Sequence, residues 1–68
     1  MMMIIDPFRL YRRRRRLARE AFEEAQFLKR RHGEAALAVA QAQLKRADLT
    51  SWGRQVMERV VRTLGREA

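Results

Sequence analysis

Apolar residues recur at helical spacing in three segments of this chain, which meet at Gly33 and at the stretch 48–51. In the first segment they fall on one face of a helix when successive residues are placed about 100° apart. This face consists of Leu10, Leu17, Ala21, Ala25 and Leu28, widened on one side by Tyr11, Ala18 and Phe22. The pattern predicts a long amphipathic helix that packs its apolar stripe against the rest of the chain.

Both ends of this first helix are marked in the sequence. Asp6 is a favoured N-cap residue, and Pro7 suits the first helical position because its missing N–H would have no partner there. Gly33 readily adopts the left-handed conformation that commonly ends a helix. Helix 1 is therefore predicted over about 7–32, preceded by an apolar tail at 1–6.

The other two segments predict shorter helices. Helix 2 is expected over about 34–47, with a face made largely of alanine that buries little apolar area. Helix 3 is expected over about 51–64, capped by Thr50 or Ser51 and stopped by Gly65. The apolar face of helix 2 is Ala36, Leu37, Val39, Ala40, Leu44 and Ala47, and that of helix 3 is Val56, Met57, Val60, Val61 and Leu64.

These elements predict an all-α fold in which residues 1–68 form a single small domain. Short connections make neighbouring helices antiparallel, so a three-helix up-down-up arrangement is expected. A helix of about 26 residues is roughly 39 Å long, whereas one of about 14 residues is roughly 21 Å long. Helix 1 is therefore expected to overhang the bundle at its N-terminal, basic end.

The distribution of charge points to the kind of partner. The chain has 16 Lys and Arg against 8 Asp and Glu, and seven of these basic residues but only one acid lie in residues 1–19. Five consecutive arginines surround a helix, so no face of that segment can be buried against apolar side chains without burying charge. The predicted polyanion-binding residues are Arg9, Arg12, Arg13, Arg14, Arg15, Arg16 and Arg19.

Three partners fit this basic segment. Nucleic acid would bind through phosphate contacts, with Phe8 or Tyr11 stacking on bases. An acidic protein surface would bind the apolar N-terminus and helix 1, and the charges would set the orientation. An anionic membrane surface is the third candidate, and a solvated segment with only a structural role is the remaining alternative.

Four aromatic residues are predicted as partner contacts. Phe8 and Tyr11 lie among the arginines, and Phe27 falls on the far side of helix 1 with three glutamates. Trp52 is expected in the core first, and becomes a contact if it is exposed. A homodimer is also compatible with the thin core of so short a chain.

The residue types do not favour catalysis or a cofactor. There is no cysteine, and one histidine, His32, is too few for a metal site built from His and Cys ligands. His32 would end helix 1 and Ser51 would begin helix 3, so helix 2 would separate this base from that nucleophile by roughly 21 Å. We therefore expect no catalytic residues, no metal and no cofactor.

The apolar runs are too short for a membrane span, which needs about 20 residues. The apolar start precedes the basic run, the reverse of the usual order in a signal peptide. A chain without cysteine is compatible with a reducing, cytoplasmic compartment. The sequence thus predicts a small, non-catalytic basic binding or adaptor protein, with nucleic acid as the first candidate ligand.

Overall fold

The computed structural model describes residues 7–67, and its order of elements is α1 (Pro7–His32), a 3-10 turn (Gly33–Ala35), α2 (Ala36–Leu44) and α3 (Ser51–Glu67). Within this range there is no strand, and the only non-helical segment is the connection 45–50. The prediction of an all-α fold is therefore confirmed. The predicted apolar tail at 1–6 lies outside the described residues.

Helix α1 has the bounds expected from its sequence signals. It begins at Pro7 and ends at His32, where Gly33 takes a φ of +56°. This left-handed conformation is favourable for glycine because it lacks a Cβ atom. Basic residues occupy the last turn of the helix, where positive charge interacts favourably with the helix dipole.

Helix α2 is shorter than predicted at both ends. Residues Gly33–Ala35 form a 3-10 turn before it, and the helix stops at Leu44, so Ala47 lies outside it and is exposed. At the C-terminal end the backbone N–H of Arg46 donates to the carbonyl oxygen of Gln43, a bond of 3.1 Å that tightens the last turn. The alanine-rich face explains the short helix, because only Ala36 and Ala40 are buried and little packing free energy extends it.

Helix α3 begins at the predicted cap but ends later than predicted. The N–H of Gly53 donates to Oγ1 of Thr50 at 2.9 Å, which identifies Thr50 as the N-cap. Gly65 does not stop the helix, which continues to Glu67. Leu64 is buried, and the Glu67 carboxylate pairs with the Lys29 ammonium of α1, so the last turn is held on both sides of the glycine.

The core lies between the three α-helices, each of which contributes to it. Its buried residues are Ala21, Ala25, Leu28, Ala36, Ala40, Val56, Met57, Val60 and Leu64. Leu17, Leu37, Val39, Leu44, Trp52 and Val61 are partly buried against them. The core stripes predicted for α1 and α3 thus supply most of this cluster.

Of the residues on the apolar side of α1, Leu10 and Tyr11 are exposed as the neighbouring arginine run predicts, whereas Phe22 is exposed against expectation. Leu10, Tyr11 and Phe22 keep 47%, 58% and 61% of their surface accessible. Leu10 and Tyr11 lie beside the arginine run, which has to stay solvated. Phe22 lies at the edge of the buried face, about 100° around the helix from Ala21, and most of its side chain stays in solvent.

None of the helices within residues 7–67 combines the length and the apolar content needed to cross a membrane.

Candidate functional site

The arginine run forms part of the continuous helix α1, and all five of its side chains are exposed. Arg16 pairs with Glu20 one turn later, with 3.1 Å between Nε and Oε1. Among the described residues, Arg12, Arg13, Arg14 and Arg15 have no carboxylate within 4.0 Å. The positive charge of this segment is therefore directed largely at the solvent.

One side of α1 combines arginines with exposed aromatic rings. Its members recur every three or four residues, the spacing that places side chains on one helix face. We call it the basic-aromatic face, and it consists of Phe8, Tyr11, Arg12, Arg15, Arg19 and Phe22. Phe8 keeps 71% of its surface accessible, and the guanidinium carbon of Arg15 lies 5.7 Å from the centre of the Tyr11 ring. A cation–π contact of this kind holds charge and ring next to each other.

Two other arginines face α3 and contact Trp52. The guanidinium carbons of Arg13 and Arg16 lie 5.8 and 5.4 Å from the centre of the indole ring. Trp52 is partly buried and packs against the core, so it is both a core residue and a surface residue. The run is thus divided by its helix into arginines that contact α3 and arginines that face away from it.

Glu20 connects the arginine run with Trp52. Its carboxylate accepts a hydrogen bond from the Trp52 indole N–H and another from Arg16 Nε. The bond from Trp52 and then the bond from Arg16 lower the pKa of Glu20 below its ordinary value, because both stabilise the ionised form. Glu20 therefore stays ionised at neutral pH and holds the start of α3 against the middle of α1.

A second surface lies beside Trp52, where α1, α3 and the connection 45–50 meet. We call it the acidic groove, because three glutamates of α1 form one side and apolar side chains form most of the rest. It is lined by Glu20, Glu23, Glu24, Phe27, Gln43, Leu49, Trp52, Gly53, Val56 and Met57. Phe27 keeps 46% of its surface accessible there. The aromatic ring that the sequence placed opposite the core thus lies in a groove with the three glutamates.

The residues predicted as sites therefore separate into two surfaces. All seven predicted polyanion-binding arginines are exposed, and Arg12, Arg15 and Arg19 share the basic-aromatic face with Phe8 and Tyr11. Phe27 and Trp52 lie in the acidic groove instead.

Two parts of these surfaces are not predicted from the sequence. The apolar pattern predicts Phe22 in the core, although its spacing from Arg15 and Arg19 also places it on the basic-aromatic face. The acidic groove was missed because it depends on where Trp52 and Leu49 pack, which α1 alone does not specify.

Within residues 7–67, no group of three or more His, Asp or Glu side chains is placed to hold a metal ion. His32 is exposed at the end of α1. The expectation that the protein is not an enzyme stays a prediction.

Similarity to other proteins does not assign a role to either surface. Comparison of the chain with protein-family models, curated proteins and solved structures found no match.

Proposed function

We propose that this chain is a small, non-catalytic binding protein that engages nucleic acid through the basic-aromatic face of α1, and prefers single strands. The observation that supports this most is the alternation of exposed arginines, Arg12, Arg15 and Arg19, with the exposed rings of Tyr11 and Phe22 along one side of a helix. Guanidinium groups neutralise phosphates, and aromatic rings stack on bases. The surface offers both interactions on a single rigid element.

Single strands fit this surface better than duplex. The bases of a duplex are already stacked, whereas those of a single strand are free to stack on Tyr11 and Phe22. Stacking on an aromatic side chain contributes about 1–3 kcal/mol per base and tolerates any sequence. We therefore expect binding with little sequence specificity.

We also propose that the helices run up-down-up and that the basic end of α1 projects beyond its neighbours. Two contacts support this arrangement. Trp52 near the start of α3 bonds to Glu20, and Glu67 at its end pairs with Lys29, so residue numbers in α1 and α3 increase in the same direction. Residues 7–12 then precede the level at which α3 begins, and a strand could reach them from several sides.

Binding to an acidic protein is the second candidate, because the same arginines would also dock on a carboxylate-rich surface. An anionic membrane surface fits less well. Helices that lie in a membrane interface have an apolar face opposite a charged one, whereas the run Arg12–Arg16 surrounds α1.

The test compares two variants of equal net charge. In the first, Arg12, Arg15 and Arg19 are replaced by Ala. In the second, the control, Arg31, Arg62 and Arg66 are replaced. They are exposed and lie on α3 or on the opposite side of α1 from the basic-aromatic face. Fluorescence anisotropy would follow binding to labelled single-stranded and duplex oligonucleotides at low and moderate salt.

We expect the wild type and the control to bind single strands with an affinity that falls as salt rises. The first variant should bind much more weakly, with a flatter salt dependence, because about 0.7 counterions are released for each phosphate neutralised on a single strand. Equal losses in the two variants would show that only net charge matters. No binding by the wild type at low salt would overturn the proposal.

A further inference from the structure

A different face of α1 carries both signs of charge in separate blocks. Starting at Arg9, its residues follow a strict alternation of three and four positions, which keeps them on one side of the helix. They are Arg9, Arg13 and Arg16, then Glu20 and Glu23, then Phe27. The first half of this face is basic, and the second half is the glutamate side of the acidic groove.

Such a face is complementary to itself when turned around. If two α1 helices lie antiparallel with Arg16 of one opposite Glu20 of the other, the same register places Arg13 opposite Glu23 and Arg9 opposite Phe27. A two-fold axis makes every such contact occur twice, as in most homodimers. Shifting the two helices so that like halves meet would place arginine against arginine.

We propose that the acidic groove binds a second copy of this chain, which inserts the Arg9–Arg16 side of its own α1 in an antiparallel, two-fold pairing. The charge complementarity identifies the occupant, because Glu23 and Glu24 of the groove have no basic side chain within 4.0 Å among residues 7–67, and this chain presents arginines with long apolar stems at the matching distance along the same helix. Each copy uses its groove and its basic half at once.

The apolar part of the groove suits arginine as well as the glutamates do. Phe27 is half-exposed and lies near the partly buried Trp52. Arginine stems cover apolar surface while the guanidinium group stays polar, and guanidinium groups bind over aromatic rings. Arg13 and Arg16 already lie over the Trp52 ring within one copy, so Arg9 of the second copy would repeat this contact over Phe27.

The dimer would also stabilise a chain whose own core is small. A chain of 68 residues without cysteine has few other means of gaining stability. The basic-aromatic face lies on another side of α1 and stays open in this pairing. The inference therefore does not depend on the proposed nucleic-acid binding, and the two are tested separately.

A charge-swap experiment tests the pairing without any nucleic acid. One variant carries Glu23→Arg and Glu24→Arg, which makes its groove basic. The other carries Arg9→Glu and Arg13→Glu, which makes the Arg9–Arg16 side of its α1 acidic. Sedimentation velocity would measure the mass of each variant, of their equimolar mixture and of the wild type from micromolar to near-millimolar concentration. Circular dichroism would confirm that all of them are helical.

We expect the wild type to form a dimer that weakens with salt, and each variant alone to be monomeric. The mixture should form a heterodimer, because the Arg9–Arg16 side of each copy then again faces a groove of opposite charge. A monomeric wild type at all concentrations would overturn the proposal. So would a dimer in either variant alone, or a mixture of folded variants that stays monomeric. The triple variant of Arg12, Arg15 and Arg19 should keep the dimer, which separates this result from the failure of nucleic-acid binding.

Discussion

The indole N–H of Trp52 donates a hydrogen bond to the carboxylate of Glu20, and this contact fastens the first turn of α3 to the middle of α1. The same carboxylate accepts a bond from Arg16, so one side chain links the arginine run to the core. Trp52 is the only tryptophan of the chain, which makes its fluorescence a direct report on this contact.

The first prediction concerns acid. The pKa of Glu20 is lowered by its bonds from Trp52 and Arg16, so the ionised carboxylate stabilises the folded protein at neutral pH. This contribution is lost as the pH falls through the lowered pKa, below the ordinary value of about 4.3. In Glu20→Gln, urea unfolding should therefore show lower stability at pH 7 and a smaller decrease on acidification than in the wild type.

The exposed Glu58 on α3 supplies the control for this experiment. Asp48 also has a pKa lowered by the bond from Arg46, so part of the acid sensitivity should remain in Glu20→Gln. Glu58→Gln should follow the wild-type curve at each pH. An identical acid-induced loss of stability in Glu20→Gln and in the wild type would contradict the role given to Glu20.

A second prediction separates the three glycines. Gly65 lies inside α3 with nothing within 4 Å of the position of an added Cβ, so Gly65→Ala should stabilise the protein by about 0.5–1 kcal/mol. Gly33→Ala should destabilise it by about 1–2 kcal/mol, because its φ of +56° suits glycine and strains an L-residue. Thermal unfolding of the single variants measures both signs.

Gly53 is the intermediate case. A Cβ there would lie 3.1 Å from Oγ1 of Thr50, the atom that caps α3. Gly53→Ala should therefore gain less than Gly65→Ala or lose stability, although both residues are helical. Thr50→Ala should cost about 0.5–2 kcal/mol, and Thr50→Ser much less, because the cap oxygen is kept. Equal stabilisation by Gly53→Ala and Gly65→Ala would show that a Cβ atom at position 53 does not disturb the cap formed by Thr50.

Local signals in the sequence predicted the helices better than they predicted the surfaces. Pro7 and Gly33 mark the two ends of α1 correctly, because proline and glycine act through the preferences of their own backbone and do not depend on packing. The predicted end of α2 is wrong, because its alanine face buries too little surface to extend the helix. Periodicity alone does not measure this buried surface. Gly65 predicts the end of α3, yet the burial of Leu64 and the pairing of Glu67 hold the helix beyond it.

The candidate surfaces show the same limit. The exposure of Arg12–Arg16 followed from the sequence, since a ring of charge around a helix cannot be buried. The position of Phe27 in a groove did not, because the groove is completed by Trp52 and Leu49 from distant parts of the chain. Spacing along the sequence places residues on the faces of a single helix, whereas a surface between elements depends on how those elements pack.

A third prediction tests the corrected core. Leu28 is 1% accessible, so Leu28→Ala should cost about 2–5 kcal/mol, a large fraction of the roughly 3–10 kcal/mol expected for a domain of this size. Phe22→Ala should change stability by less than about 0.5 kcal/mol, because Phe22 is exposed. Urea unfolding compares the two. A large loss of stability in Phe22→Ala would show that Phe22 packs in the core.

The last prediction separates stacking from charge on the basic-aromatic face. The double variant Tyr11→Ala, Phe22→Ala removes two exposed rings and no charge. Each ring that stacks on a base contributes about 1–3 kcal/mol, so the affinity for single strands should fall at least about fivefold for each, while the affinity for duplex changes little. The slope of affinity against salt should stay that of the wild type, because that slope depends on the arginines that neutralise phosphates. Anisotropy titrations with both oligonucleotides at several salt concentrations give all three quantities. A parallel loss for single strands and duplex would mean that the rings support the helix and do not contact bases.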